Sequence, residues 1–272
     1  MVRPSFVANA FFVLTAGAWL LLGCAPVVVE TRPPAATAPL DPTPSGSPAS
    51  PASPTVDPEL IAVAGEGVPA YVLDDIAAAL RQGAPPVCDA LGIACDFSVT
   101  VEVFADQAAF DRGVMNPAMR GFFALSGDGR IQMVSPLSSG RAELTYADGV
   151  SVAVHEFVHL ALDQIAPELP DWLEEGTAVT LAPHEVYDGA CRERLVGVAL
   201  PSLEQMRAQY ADVPAADLFA YTLVASIVAT DGLDGLNALL RAPDDLERVL
   251  GRPLADVERA WREFVAGGCA RR

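Results

Sequence analysis

Lysine is missing from this chain, and histidine is nearly so: all 17 basic residues are arginine, and three histidines occur in 272 positions. Against 35 acidic residues the formal net charge is −18, which opposes binding to nucleic acid or to an anionic bilayer surface. No two cysteines stand in a CxxC spacing, which argues against a cysteine-rich zinc site. Neither a glycine-rich phosphate loop nor a GxSxG elbow is present, so nothing points to phosphate-cradling or serine-hydrolase chemistry. No internal repeat is found.

What is present divides into three stretches. From Met1 to Leu22 a single arginine, Arg3, precedes the apolar run FVANAFFVLTAGAWLLLG, the pattern of a secretory signal over residues 1–23. The sequence LLGC resembles a bacterial lipobox, which implies that Cys24 is lipidated and begins the mature chain. That reading places the protein outside the cytoplasm, in the cell envelope, tied by lipid to a bacterial membrane. An ordinary secretory signal with an incidental cysteine, giving a secreted protein, and a retained membrane helix are the alternatives. Residues 24–58 follow as a tether: Ala25 to Pro58 holds ten of the 23 prolines among Ala, Ser and Thr. Such a composition lacks the apolar side chains that offset chain ordering. Extended at about 3.1 Å per residue, it reaches roughly 100 Å.

Residues 59–272 make one domain with a single core. Its cysteines are Cys88, Cys95, Cys191 and Cys269, an even number that suggests two disulfides in an exported protein. Three pairings are open. Proximity favours Cys88–Cys95 and leaves Cys191–Cys269.

Apolar spacing predicts a helix over 68–82, ended by Gly83 and the Pro85-Pro86 pair. Strict alternation predicts a strand over 97–104, and Asp106 opens a short helix. GFFAL and RIQMVS flank SGDG as a hairpin. Beyond Gly140 only helices are expected, near 149–166, 171–182, 214–230, 232–241 and 253–266. Strands early and helices late indicate an α+β domain.

Two of the three histidines stand four apart in HEFVH, residues 155–159, within a stretch that also reads as a buried helix. Positions four apart lie about 40° apart around a helix axis, one turn above the other. His155 and His159 so placed can hold one zinc ion, while Glu156, turned off the metal, can reach a water beside it. The competing reading is a pair of core histidines, and the scarcity of histidine elsewhere weighs against it. Catalytic zinc wants a third protein ligand and an open position. Ile165 occupies the position where a third histidine would stand six residues on. Further along, PDWLEEGTA places Glu174 and Glu175 in the first turns of a helix, about 100° apart, so that both cannot face one ion. His184, beyond that helix, and Asp163, two turns past His155, are weaker candidates.

HEFVH followed by WLEEGTA resembles the gluzincin metallopeptidases, and in particular the small bacterial "peptidase MA-like" group. The resemblance covers about residues 95–265. It implies a zincin-like fold: a small N-terminal sheet with a hairpin, the HExxH helix, the glutamate helix, then C-terminal helices. It assigns the third ligand to Glu175 by matching Trp172, Leu173 and Gly176, and leaves Glu174 on a variable position. It also implies that Tyr221, in LFAYTLVAS, stabilises the oxyanion. Aminopeptidase motif GxMEN is absent, so recognition of a free N-terminus is unsupported. The implied activity is zinc-dependent hydrolysis of a peptide or protein substrate, with Glu156 as general base and the strand RIQMVS offering its edge to an extended peptide. A catalytically silent or latent metal-binding envelope protein, which binds a partner and does not cut it, is the alternative.

Overall fold

The computed structural model describes residues 61–114, 117–138, 145–182, 195 and 198–269. The expectations for the signal segment, Cys24, the tether, His184 and Cys191 lie outside these residues.

Four strands form one sheet in the order β1-β2-β4-β3. Strands β1 (Ile61–Ala64), β2 (Val99–Phe104) and β4 (Arg130–Val134) run parallel, and β3 (Ala124–Gly127) pairs antiparallel with β4. In β2 the valines at 99, 101 and 103 are buried while Thr100 and Glu102 are exposed, the alternation of a strand with one covered face. Asp128 and Gly129, both at positive φ, close the hairpin between Gly127 and Arg130. A two-residue loop of that hand matches the twist of the strands it joins.

Two expectations need correcting here. Strand β4, the RIQMVS segment, is interior, with β2 on one side and β3 on the other, so it has no edge for a peptide. Helix α1 runs from Ala70 to Leu91, straight through Gly83 and the two prolines. Pro85 and Pro86 lack the N–H groups that would reach the carbonyls of Arg81 and Gln82. Both of those residues are exposed, so water can serve the carbonyls. Beyond the prolines, Val87, Cys88 and Leu91 are buried, and a Cys88–Cys95 disulfide with Cα atoms 5.8 Å apart pins the helix end. Core packing thus outweighs a local stop signal. Strand β1 was not anticipated at all.

Helix α2 (Gln107–Gly113) starts at Asp106, whose carboxylate accepts from the Ala109 N–H at 2.7 Å. Helix α3 (Tyr146–Asp163) starts with a capping box: the Thr145 hydroxyl accepts from the Asp148 N–H, and the Asp148 carboxylate accepts from the Thr145 N–H. Every residue from Val152 to Leu162 is buried. Helices α1 and α3 touch closely because Gly83 has no side chain: a Cβ there would stand 2.7 and 2.8 Å from the Val154 methyls. On its other sides α3 meets β3, β4 and α4 (Asp171–Leu181).

After α5 (Leu203–Ala208) comes α6 (Ala216–Leu240), broken at Gly232, which sits at φ 71° and ψ −176°. The break falls where two helices were expected. Short α7 (Leu246–Leu250) and amphipathic α8 (Leu254–Ala266) complete the domain. Helix α6 is long and apolar enough to cross a membrane. Its residues from Leu218 to Ile227 are buried, and it packs on α4 and α8. The domain is thus α+β: α1 and α2 are interleaved with the four strands, and among the described residues only helices follow β4.

Candidate metal centre

Helix α3 supplies His155, Glu156 and His159, and α4 supplies Glu174 and Glu175. Extended Pro170 ends the link between them and starts α4. Trp172 and Leu173, at 1 % and 0 % exposure, seat that helix in the core. One turn past Trp172 and on the same face, Gly176 presses against the Ala220 carbonyl and Val224 of α6. The register of α4 is therefore held by packing residues that come before and after the glutamates on one face of the helix.

The two imidazoles meet at their outer nitrogens, with Nε2 to Nε2 3.2 Å. Glu175 closes the triangle: Oε2 lies 3.6 Å from His155 Nε2, and Oε1 lies 3.8 Å from His159 Nε2. Two donors each about 2.1 Å from a tetrahedral ion stand about 3.4 Å apart, so these separations suit a single metal ion. His155, His159 and Glu175 are the metal-competent group among the described residues, each buried. Glu175 Oε1 is buried without a hydrogen-bond partner. A buried carboxylate oxygen left without a hydrogen bond, 3.8 Å from His159 Nε2, is costly as it stands and would be satisfied by a cation.

Electrostatics agree with that donor chemistry. Burial alone disfavours an imidazolium at His159, but the carboxylates of Glu175, Glu174 and Glu156 outweigh it and raise the ring to about 10. Burial pushes the Glu175 carboxyl well above the usual range; His159 pulls it back, while Asp217, Glu174 and Glu156 push it further. A divalent cation would satisfy the same carboxylates that here favour a proton on His159.

Glu156 is 1 % exposed, and its charge acts on both His159 and Glu175. Tyr221 lies on α6, buried among core residues and one turn beyond Asp217. Asp163 ends α3, partly exposed, with its carboxyl raised to about 6 by burial and by the charge of Glu174, against the pull of His159. The Cys88–Cys95 pair forms as expected.

The sequence reading names Glu174 without its part in the site and passes over Asp217. Glu174 stands 2.9 Å from His159 Nδ1, on the side of the ring opposite the other donors. The adjacent glutamates did carry a signal, since two carboxylates 100° apart on one helix can address two edges of one ring. Asp217 accepts a hydrogen bond from the Tyr210 hydroxyl at 2.6 Å, and its charge reaches Glu175 and His159. Nothing in the local sequence marks it out. No model of a known protein family matches the chain, and no curated protein matches it.

Proposed function

We propose that this chain is a zinc-dependent peptidase of the gluzincin kind, an endopeptidase acting on peptide or protein substrates. The observation that supports the reading is the meeting of His155, His159 and Glu175, buried, with ligand atoms all within 4.8 Å of one another. His155, His159 and Glu175 would hold the zinc. Bound there, zinc supplies Lewis acidity that lowers the pKa of water toward 7 and polarises a peptide carbonyl. Glu156 accepts a proton from the attacking water and passes it to the departing amine. Tyr221 donates to the developing oxyanion; this role rests on the resemblance and on its place one turn after Asp217. With β4 interior, β3 is the edge strand beside α3, and an extended substrate would pair there. The apolar N-terminal run, Cys24 and the proline-rich stretch support a lipid-tethered protein outside the cytoplasm.

Replacing Glu156 by alanine tests the mechanism. The variant is expected to retain zinc and lose cleavage of an unstructured protein; an unchanged rate would overturn the assignment.

One observation favours a second reading. His155, His159 and Glu175 are each no more than 4 % exposed, which suits a latent or catalytically silent metal-binding protein that engages a partner. Zinc bound at stoichiometry without cleavage, across a broad panel of substrates, would select that reading.

A further inference from the structure

We propose that Glu174 is the positioning residue of this site, holding the His159 ring so that Nε2 and not Nδ1 faces the ion. The proposal rests on the metal reading above. An imidazole offers two nitrogens, and either can ligate a metal. Here Nε2 of His159 faces His155 and Glu175, while Nδ1 lies 2.9 Å from Glu174 Oε1. A ligating nitrogen carries no proton, so a neutral ring that binds through Nε2 carries its hydrogen on Nδ1. The Glu174 carboxylate accepts that hydrogen, and the bond fixes both tautomer and ring angle.

The surroundings favour this arrangement. Glu174 is 7 % exposed, so its bond to His159 is shielded from water. It stands in the first turn of α4, an 11-residue helix whose N-terminal N–H groups favour an anion. Glu175, the next residue, addresses the Nε2 edge of the same ring. A single helix thus grips His159 from two directions, and the pairing of the two glutamates has a physical purpose. The effect expected of Glu174 is on metal affinity and ligand geometry.

The test uses the purified full-length protein and its Glu174→Gln and Glu174→Ala variants. Zinc affinity is measured by competition with a chromophoric chelator, and ligand geometry by the visible spectrum of the cobalt-loaded protein. Glu174→Ala is expected to weaken zinc binding roughly 10- to 100-fold and to alter the cobalt bands. Glu174→Gln keeps an oxygen acceptor for Nδ1–H and is expected to recover most of the affinity and the native spectrum. An alanine variant with native affinity and spectrum overturns the proposal, and so does a glutamine variant no better than alanine. Wild-type protein that binds neither ion overturns the metal reading itself, before any substitution is compared.

Discussion

Gly176 lies so close to Ala220 that a Cβ on it would stand 2.5 Å from the Ala220 carbonyl oxygen, and equally close to a Val224 methyl. Backbone cannot yield as a flexible side chain can. Gly176→Ala is therefore expected to push α4 away from α6 and destabilise the fold by about 1–3 kcal/mol. Because Glu175 is the neighbouring residue, the same variant should bind zinc more weakly. Thermal unfolding and chelator competition check the two effects separately, and a variant with native values in both would contradict this packing.

An ion that binds the folded chain alone stabilises it, by about 4 kcal/mol at a thousandfold excess over its dissociation constant. Chelation should lower Tm in the wild type and leave a His155→Ala variant nearly unaffected. The effect has a defined pH sense. In the metal-free chain, His159 is raised from 6.5 to about 10, so its attraction to the carboxylates is fully present below about pH 6.5 and lost as pH rises through about 10. Zinc must displace that proton, so the Tm gained on adding zinc should shrink as pH falls.

Asp163 shifts stability in the same pH direction, here because ionising its half-buried carboxyl is unfavourable. Its folded-state carboxyl is raised from 3.8 to about 6, so the folded chain binds the extra proton between those values. Stability from this group is greatest below pH 4 and falls as pH rises through 6. Asp163→Asn should stabilise the chelated protein at pH 7 by about 1 kcal/mol, allowing for solvent screening. That gain should vanish by pH 4, as urea unfolding at the two values would reveal.

Ala215, the residue before α6, sits at φ 58°, in the left-handed region. A side chain there costs about 1–2 kcal/mol, partly offset by the entropy lost on ordering a glycine. Ala215→Gly should raise stability by up to about 1 kcal/mol without altering zinc affinity. Equilibrium unfolding would show it.

Much of this was legible in the chain itself, and the limits follow from what is local. The HEFVH helix announces itself because Val154, Phe157, Val158, Ala161 and Leu162 recur at helical spacing, and all five are buried. The hairpin was legible from Asp128 and Gly129, and the break in α6 from Gly232. Pro85 and Pro86 misled because a proline signals only its own hydrogen bond, and the buried residues beyond them carry α1 onward. Strand β1 is four residues long and exists through its pairing of Ile61 with Val99, across an intervening helix. The interior position of β4 likewise depends on strand order, which no segment encodes alone. Within the site, the histidines were evident from spacing, Glu175 from resemblance, and the contact of Glu174 with His159 only from the fold.

The three residues proposed to hold the ion lie between His155 and Glu175, on two successive helices joined by a short link. A growing polypeptide therefore carries all three proposed donors before α6 exists. Segments so near in sequence come together quickly, because little loop entropy is lost in closing them. Metal capture could then precede completion of the domain, with the later helices locking a geometry that neighbouring pieces of chain had already sketched.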